Sequence, residues 1–542
     1  MTLFDRILQA RGLDGDKADA FLNPNYDVRH DPFLLPDMEA AVVRLQLALK
    51  NNEKITIYGD YDIDGLTAST LLVDAFNSFG FEQVDVFIPN RFIEGYGMTV
   101  DAVDQIAATG ATLIVTVDCG SLSEKEIIHA GSLGVDVIVT DHHAVAPVQP
   151  PAVAVINPKR TDHKYPFIDL AGVGVAFKLV QAMQTRMDGL PPGGEKWLLD
   201  LVALGTVCDV VQLIDENRVN VFWGLKVLQK QRRPGLKALM AIARVEPDGL
   251  DTRSLGFALG PRMNAAGRLE TAQYALDMLL AREPLAALKK AEVLDDMNRN
   301  RRLEQDKIFE SAIIQAEKFV NDPVLVVSGR NWNHGIVGIV AAKLLERYAK
   351  PTFVLEDMGE QAKGSARSYG DFSAVEAIRA SDDIIIKGGG HKLAAGVTLL
   401  SDQIDNFRQR VNQVYREKNL RDQQKYLLVD HDVIVDNLAE LDESLLSKIS
   451  LLEPFGNGNP EIVLRFDKAL VRSKRTMGSD GQHIKIQIAD NHGMTMDFLA
   501  FNAPSHYFVE PGDRVNLWFN LAISDFRGVR SVEGKIKRLE LN

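Results

Sequence analysis

Three short acidic segments follow β-rich runs of residues, and a fourth acid ends an apolar run. The first segment is GDYDIDG (Gly59–Gly65), a single aspartate follows TLIVTV, and a DHH triplet follows DVIVT. The apolar run 198–208 is followed by one more aspartate. The members of the set are Asp60, Asp62, Asp64, Asp118, Asp141, His142, His143 and Asp209. Open α/β sheets bind ligands beyond the carboxyl ends of their strands, so we expect these side chains to meet in one crevice.

This grouping of side chains favours divalent metal ions. Carboxylates that converge without lysine or arginine repel one another and raise their own pKa values, whereas cations remove the conflict. Oxygen and imidazole ligands suit Mn²⁺ or Mg²⁺, and the absence of paired cysteines argues against a structural zinc site. Two such ions, about 3.5–4 Å apart, clamp the attacking and leaving oxygens of a phosphoryl displacement. The residues therefore predict metal-dependent phosphoryl chemistry.

Each segment also has an ordinary interpretation. The D-x-D-x-D-G spacing from Asp60 resembles the start of a calcium-binding loop, but loop position 12 is Leu71 instead of glutamate. An aspartate after a strand commonly caps a helix, which would account for Asp118 alone. A histidine pair is often two surface residues. The complete set favours a metal site because every member follows a strand or an apolar run.

The first third of the chain alternates short apolar runs with amphipathic stretches. We predict strands at 54–59, 84–88, 112–117 and 136–140, and helices at 66–79, 99–109 and 123–133. Continuous valine and isoleucine runs separated by helices are typical of parallel strands that are covered on both faces. The predicted fold class is α/β, with an open, doubly wound parallel sheet.

Beyond this region the pattern changes twice. Residues 283–321 predict a long, charged, exposed helix that connects two domains. A second α/β domain is predicted from strands at 324–328, 352–355 and 395–399 and a helix at 334–348. Five strands, at 461–471, 483–489, 494–501, 514–522 and 531–539, indicate a small barrel or sandwich. The predicted division is an N-terminal segment (1–50), a catalytic domain (51–282), the connecting helix (283–321), a second α/β domain (322–419) and a C-terminal barrel (420–542).

Composition limits the class of protein. At about 100–200 residues per domain, the 542 residues predict three or four domains, and 46% hydrophobic and 25% charged residues are typical of globular proteins. No apolar run approaches the roughly 20 residues that span a bilayer, and two cysteines imply no disulfide framework, so we expect a cytoplasmic protein without a membrane partner. The net charge of −13 argues against a protein that is covered by nucleic acid. Residues 462–542, however, contain 12 Lys/Arg and 9 Asp/Glu and therefore carry a net charge of +3.

Longer motifs resemble one superfamily from about residue 55 to the end of the chain. GDYDIDG, VTVDCG, VTDHHA and ALGTVCDVV look like the four motifs of the DHH phosphoesterases. Six further segments resemble a bacterial branch of this superfamily that degrades single-stranded DNA. They are IPNRFIEGYG (88–97), LAGVGVAFKL (170–179), GPRMNAAGRL (260–269), WNHGIVGIVAAKL (332–344), KGSARS (363–368) and GGGHKLAAG (388–396). The resemblance implies a DHH catalytic domain, a DHH-associated domain and a C-terminal OB-fold.

The same resemblance implies roles for the acidic set. The implied ligands of two Mn²⁺ or Mg²⁺ ions are Asp60, Asp62, Asp64, Asp118, His142 and Asp209. Asp118 is expected to bridge the ions, Asp141 to orient its neighbouring histidine, and His143 to be an accessory group. Related pyrophosphatases have a histidine at the position of Tyr58, so Asp60 is expected to replace that ligand.

Basic and glycine-rich motifs predict contacts to the substrate. Guanidinium groups pair with phosphate oxygens through two bonds, and the candidate arginines are Arg91, Arg262 and Arg268. A nest for a terminal phosphate is predicted from Ser365, Arg367, Gly388, Gly389, Gly390 and His391, with the glycine NH groups as donors. The alternative is that the glycines only permit a tight turn. Such a pocket would recognise a 5′ end and make the enzyme an exonuclease.

The C-terminal strands resemble an OB-fold, which binds single strands through a basic groove and stacked aromatic rings. The basic candidates are Arg472, Lys474, Arg475, Lys485, Arg527 and Arg530, and the aromatic candidates are Phe498, Phe501, Trp518 and Phe526. We expect most of these rings in the barrel core. Phe526, beside Arg527 in a turn-like segment, is the ring that we expect to stack on a base.

The implied function is hydrolysis of single-stranded DNA from its 5′ end, with release of 5′-mononucleotides, in recombination and repair. The implied partners are a single-strand binding protein and a helicase, and the chain is expected to act as a monomer. One alternative is a phosphodiesterase for short oligonucleotides or cyclic dinucleotides, which the extra barrel disfavours. A binding scaffold is disfavoured because the expected acids are present. We interpret Cys119 and Cys208 as small buried residues, with oxidation-sensitive activity as the alternative.

Overall fold

The structure, a computed structural model, describes residues 1–420, 423–478, 480–504, 507–526 and 529–542. Its strands are β1 Ile55–Gly59, β2 Val84–Phe87, β3 Leu113–Val117, β4 Asp136–Thr140, β5 Ala154–Ile156, β6 Leu325–Arg330, β7 Thr352–Asp357, β8 Gln361–Arg367, β9 Ile385–Gly390, β10 Ala394–Leu400, β11 Val433–Ile434, β12 Leu464–Met477, β13 His483–Ala489, β14 Thr495–Ala500, β15 Arg514–Phe526 and β16 Val529–Leu541. Its α-helices are α1 Leu3–Ala10, α2 Gly15–Leu22, α3 Met38–Asn51, α4 Ile63–Phe79, α5 Val100–Ala108, α6 Glu124–Ser132, α7 Gly172–Gln184, α8 Leu199–Cys208, α9 Asp215–Leu228, α10 Pro234–Ala243, α11 Gly260–Leu269, α12 Gln273–Leu280, α13 Pro284–Lys318, α14 Val337–Tyr348, α15 Ala374–Arg379, α16 Ile404–Glu417 and α17 Glu443–Ile449.

The chain forms two compact units. The large unit contains residues 30–209 and 224–428, and the small unit contains residues 1–29, 210–223 and 429–542. Residues 1–29 and 30–50, which the sequence analysis placed in one segment, therefore belong to different units. The five-domain division stays a prediction.

The first sheet of the large unit has five parallel strands in the order β2-β1-β3-β4-β5. Strands β1 and β3 are buried along their whole length, as their isoleucine and valine content predicts. Residues of α5 and α6 share a core cluster with Tyr58 and Ile114, while α4 and α7 also pack against the sheet. The prediction of a doubly wound parallel sheet is confirmed, with β5 as an additional strand.

The helix after β1 begins at Ile63, three residues before its predicted start. Asp62 Oδ1 accepts hydrogen bonds from the backbone NH groups of Asp64 (2.9 Å) and Gly65 (3.2 Å) and so caps the first turn. The apolar periodicity begins only at Leu66, which explains why the sequence pattern placed the start too late. The acidic loop is consequently part of the helix terminus.

The predicted connecting helix is α13, whose 35 residues make it about 52 Å long at 1.5 Å per residue. The prediction of an exposed helix is confirmed for one face only, because the other face is buried. Ala287, Ala291 and Leu294 are buried where α13 contacts α10, α11 and α12, and Ile308 and Ala312 share a core with β6 and α14. Within the described residues, no helix combines the length and apolar character needed to cross a membrane.

The second sheet of the large unit has the order β6-β7-β8-β10-β9, with β6 and β7 parallel and the other pairs antiparallel. Strands β8 and β9 were missed by the sequence analysis because they contain KGS and GGG, and glycine weakens a strand. Their register places Ser365 beside Gly396, and Gly396 beside Gly389. This glycine-rich surface contributes to the cavity described below.

The small unit contains a barrel of strands in the order β11-β12-β13-β14-β16-β15, and the pairing of β12 with β15 closes it. The five predicted strands are confirmed, with shifted ends. Alternate side chains fill the interior: Ile484, Ile486 and Ile488 are fully buried, and the rings of Phe498 and Phe519 meet edge to face at 4.8 Å.

Replacement of Phe498 by alanine should lower the free energy of unfolding of the small unit by about 3–5 kcal/mol, because it leaves a cavity in the barrel core. Phe501→Ala is the matched control, since Phe501 is 60% exposed and its loss should cost less than about 0.5 kcal/mol. Chemical denaturation with tryptophan fluorescence measures both. Equal destabilisation by the two variants would contradict this account of the core.

Candidate metal centre

The loop between β1 and α4 holds three aspartates at the carboxyl end of the first sheet. Asp60 and Asp64 are buried, with 3% and 1% exposure. Asp64 accepts backbone hydrogen bonds at the start of α7, from the NH groups of Gly172 (2.6 Å) and Val173 (2.8 Å). The positive end of the α7 dipole favours an anion here, so the Asp64 carboxylate is fixed in place.

Asp118 follows β3 in the left-handed region of backbone conformation, with φ of 62°, and is buried. Residues other than glycine rarely adopt this conformation, and such outliers cluster at functional sites. Gly172 makes room for it, because a Cβ at Gly172 would lie 2.7 Å from the Asp118 Cβ. The Asp118 Oδ1 atom lies 3.0 Å from Nε2 of His142.

The DHH triplet (Asp141, His142 and His143) follows β4, and its three residues have different roles. Asp141 Oδ1 accepts hydrogen bonds from the backbone NH groups of His142 (2.7 Å) and His143 (3.0 Å), and lies 2.9 Å from Nδ1 of His143. Its Oδ2 accepts from the NH of Ser121 at 3.0 Å. Burial opposes ionisation, but these bonds prevail and hold the pKa of Asp141 below its ordinary value. Asp141 thus orients the ring of His143 and the backbone of both histidines.

Asp209 is the residue that ends α8, and its carboxylate completes the cluster. His142 Nε2 lies 3.6 Å from Asp209 Oδ2 and 3.7 Å from Asp64 Oδ2. Three overlapping groups bring ligand atoms within 4.8 Å of one another: Asp118, His142 and His143; Asp64, His142 and Asp209; and Asp60, Asp62 and Asp118. The structure therefore brings together the whole acidic set that the sequence analysis selected, from four separate segments.

The donor atoms of this cluster fit divalent cations. Asp60 Oδ1, Asp118 Oδ1 and His142 Nε2 are buried without a hydrogen bond, although such atoms are normally satisfied. Asp118 Oδ1 and His142 Nε2 are 3.0 Å apart, but they do not form a hydrogen bond with each other. Burial, followed by neighbouring carboxylates, raises the pKa of Asp64 to about 7 and of Asp209 to about 9. Burial lowers the pKa of His142 to about 3, which keeps its imidazole neutral and able to bind a metal.

Tyr58 and the two cysteines lie beside the cluster without joining it. The Tyr58 hydroxyl donates to the backbone oxygen of Gly97 at 2.9 Å, and its ring stacks on Phe87. Cys119 is fully buried in the core around the sheet, and burial raises the pKa of its thiol and of the Cys208 thiol. Cys119 is therefore buried as predicted, whereas Cys208 is only partly buried. The raised pKa values make both thiols poor nucleophiles.

A cavity of about 800 Å³ lies in the large unit and is rich in cationic side chains. It is lined by Arg91, Arg268, Ser365, Arg367, Gly388 and Gly389, all of which the sequence analysis selected. Arg91 lies over the ring of Tyr61, 4.4 Å from its centroid. Burial, together with Arg91, Arg301 and Arg367, lowers the pKa of Arg268 to about 10. Such repulsion among buried cations is relieved by an anion.

Three of the selected residues do not line this cavity. Arg262 forms an ion pair with Asp295 at 2.8 Å, on the neighbouring helix α13. Gly390 and His391 lie beyond the cavity, where the His391 NH donates to the Ala394 oxygen at 2.7 Å. Gly388–Gly390 belongs to the edge strand β9, and an extended strand does not turn consecutive NH groups toward one anion. The phosphate contact of these glycines stays a prediction.

Among the lining residues that sequence reasoning missed, four carry titratable side chains: Tyr61, His334, Lys363 and Lys387. The His334 Nδ1 atom lies 2.7 Å from Glu356 Oε2, and its Nε2 is buried without a partner. Lys363 alternates with Ser365 and Arg367 along β8, so the period of two in KGSAR would have revealed it. Lys387 precedes the glycines in β9 and required the strand pairing to be recognised.

The aromatic candidates of the barrel separate into two kinds. Phe498 and Trp518 are buried, as expected, and Trp518 lies between the guanidinium groups of Arg465 (4.7 Å) and Arg538 (4.4 Å). Phe501 is exposed and contacts the His483 ring at 5.4 Å, so it is available for stacking. Of the basic candidates, Lys474, Lys485 and Arg530 form ion pairs with acids of the small unit. Arg527 and the side chain of Phe526 lie outside the described residues.

Comparison with known proteins defines the class of this fold and site. The model of the DHH family, N-terminal domain, matches residues 54–206, and the model of the DHHA1 domain matches residues 321–417. The model of the RecJ OB domain matches residues 432–538, which contain the barrel except for the end of β16. The fold and the acidic cluster are therefore those of a DHH-type phosphoesterase with a C-terminal OB domain.

Whole-chain comparisons identify the family within this class. Single-stranded-DNA-specific exonuclease RecJ of Escherichia coli is 36% identical over 528 residues, covering 92% of this chain and 89% of that protein. RecJ of Bacillus subtilis is 35% identical over 537 residues, covering 98% and 67%. The crystal structure of Thermus thermophilus RecJ with Mn²⁺ is 27% identical, with a TM-score of 0.86 over 99% of this chain and 75% of that one. The chain belongs to the RecJ family.

The raised pKa of Asp209 makes the stability of the metal-free protein depend on pH. Between pH 7 and 9 the folded state keeps a proton on Asp209 (pKa about 9) that the unfolded state has lost, and this group alone should lower the free energy of unfolding by about 2 kcal/mol. Asp60, Asp64 and Asp118, whose pKa values are also raised, act in the same direction, whereas His142, with a folded pKa of about 3, contributes only below pH 7. Thermal denaturation with a chelator measures the slope, and Asp209→Asn should make it shallower without abolishing it. An unchanged slope in that variant would contradict the assignment.

Proposed function

We propose that this chain degrades single-stranded DNA from the 5′ end and releases 5′-mononucleotides by hydrolysis assisted by two divalent cations, Mn²⁺ or Mg²⁺. One observation carries the proposal: a buried acidic cluster and a cationic cavity meet at a single loop. Tyr61 lines the cavity, while its neighbours Asp60 and Asp62 belong to the cluster. The names of the relatives support single-stranded DNA as the substrate.

The acidic cluster is the proposed site of cleavage. The residues that would hold the cations are Asp60, Asp62, Asp64, Asp118, His142 and Asp209. Bound divalent cations supply Lewis-acid stabilisation to the phosphodiester and activate water at neutral pH. Asp118 and His142 each belong to two of the three ligand groups. Of the two, only Asp118 has a carboxylate with two oxygens, which supports the proposal that it would contact both ions.

His143 is the proposed proton donor. Burial is the largest single effect and lowers its pKa, but the hydrogen bond to Asp141 at 2.9 Å and the charges of the neighbouring aspartates together raise the pKa above the ordinary value. Its side chain is 37% exposed, so the ring can reach a substrate. Protonated His143 can therefore donate to the 3′-oxygen that leaves when the terminal nucleotide is cut off.

The cationic cavity is the proposed site of the terminal 5′-phosphate. Arg91, Arg268 and Arg367 supply guanidinium groups, and Ser365 supplies a hydroxyl. Gly338, in the first turn of α14, also lines the cavity, and a helix N-terminus favours an anion. A site that holds the end of the strand fixes the distance to the cleavage site, which supports removal of one nucleotide at a time.

The other assignments from the sequence are part of the same proposal. The five-domain division places cleavage in residues 51–282 and strand binding in residues 420–542, where the exposed Phe501 offers a stacking surface. Arg262, Gly390 and His391 are proposed to support the substrate site from outside the cavity. Location in the cytoplasm is proposed from the low cysteine content. The family resemblance alone supports action as a monomer, in recombination and repair, with a single-strand binding protein and a helicase.

Digestion of single-stranded DNA labelled at either end tests the proposal. With Mn²⁺ and a 5′-phosphate, the wild type should release mononucleotides from the 5′ end, because the cavity positions that terminus. Asp118→Ala should reduce the rate at least about 10³-fold, since it removes a ligand shared by two groups. Arg299→Gln, which alters an exposed cationic side chain outside the cavity, is the matched control and should retain most activity. Binding without cleavage in any metal would contradict the proposal.

A further inference from the structure

The cavity holds more positive charge than one terminal phosphate can neutralise. Its five cationic side chains are Arg91, Arg268, Lys363, Arg367 and Lys387. In the described part of the chain, none of them forms an ion pair with a carboxylate within 4.0 Å. Glu356, the cross-strand neighbour of Lys363, binds His334 instead. A phosphate monoester carries a charge of about −2 at neutral pH, so three positive charges are left over.

The strand register separates these cations into two groups. Lys363, Thr398 and Lys387 lie side by side on β8, β10 and β9, and Ser365, Gly396 and Gly389 form the adjacent row. Two residues along a strand span about 7 Å, so the lysine row lies roughly that far from Ser365. Arg367 lies two residues from Ser365 in the opposite direction and is close enough to Arg91 and Arg268 for mutual repulsion.

The glycines of β9 and β10 leave free space in the cavity between the arginine group (Arg91, Arg268 and Arg367) and the lysine group (Lys363 and Lys387). A Cβ at Gly389 would meet no atom within 4 Å, and one at Gly396 would meet only the Gly364 oxygen at 3.8 Å. The volume of about 800 Å³ is that of sites for ligands much larger than a phosphate group. An anionic chain can therefore extend from the arginine group to the lysine group without steric conflict.

We propose that Lys363 and Lys387 form a second anion subsite, which takes the outer phosphates of a 5′-polyphosphorylated strand. The inference rests on the proposed function, because it assumes that the strand end occupies the cavity. In the first turnover, water adds to the phosphorus of the first internucleotide linkage and the bond to the 3′-oxygen breaks. That oxygen takes a proton, the terminal nucleotide leaves as a nucleoside 5′-triphosphate, and the shortened strand keeps a 5′-monophosphate.

The test compares three strands of one sequence that carry a 5′-hydroxyl, a 5′-monophosphate or a 5′-triphosphate. The wild type should degrade the triphosphate strand with a kcat/KM within about threefold of the monophosphate strand, since two lysine contacts offset the added charge. Its first product should be a nucleoside triphosphate, which thin-layer chromatography separates from a monophosphate. A blocked triphosphate strand, with the monophosphate strand degraded, would overturn the inference but not the proposed function.

Two variants assign the effect to the subsite. Lys363→Gln with Lys387→Gln should lower the ratio of kcat/KM for triphosphate over monophosphate strands about tenfold, and Lys387→Gln alone should lower it less. Lys392→Gln, an exposed lysine outside the cavity, should leave the ratio unchanged. Inorganic tripolyphosphate at constant free Mn²⁺ should inhibit the wild type more than the double variant. An unchanged ratio, or such inhibition without cleavage of the triphosphate strand, would overturn the inference.

Discussion

Repulsion among buried carboxylates is the constraint around which the large unit is built. Asp60, Asp64 and Asp118 are nearly inaccessible, and burial with mutual repulsion raises the pKa of each. The protein holds them together through the parallel sheet, which delivers three loops to one edge, and through the start of α7. Gly172 is essential to this arrangement, because it donates to Asp64 and leaves room for Asp118.

In the cationic cavity, the charges that repel one another are positive. The cavity shares the loop after β1 with the acidic cluster. Arg268 and Arg367 have lowered pKa values through burial and their like-charged neighbours, in the absence of a carboxylate partner among the described residues. Each site is thus incomplete without ions of opposite charge: cations for the aspartates and phosphate for the arginines. A nucleic acid end together with divalent metal satisfies both conditions, and this complementarity connects the fold to exonuclease chemistry.

The sequence predicted the cluster well because its signals are local. Each acid follows a run that predicts a strand or an apolar helix, and the topology of parallel sheets then brings the strand ends together. The cavity was predicted less well, since glycine conceals strands β8 and β9 and Lys387 becomes a neighbour only through their pairing. Arg262 was placed near phosphate by its motif, yet its partner Asp295 lies on a helix 33 residues away, which spacing alone does not reveal.

Mn²⁺ stoichiometry tests most directly whether the acidic cluster forms a two-ion site. Equilibrium dialysis of the metal-free protein should give two bound Mn²⁺ ions per chain, and Asp118→Asn, which keeps the shape of the side chain, should lose one ion or bind both at least about tenfold more weakly. Two ions bound by Asp118→Asn with unchanged affinity, or no binding by the wild type, would contradict the account.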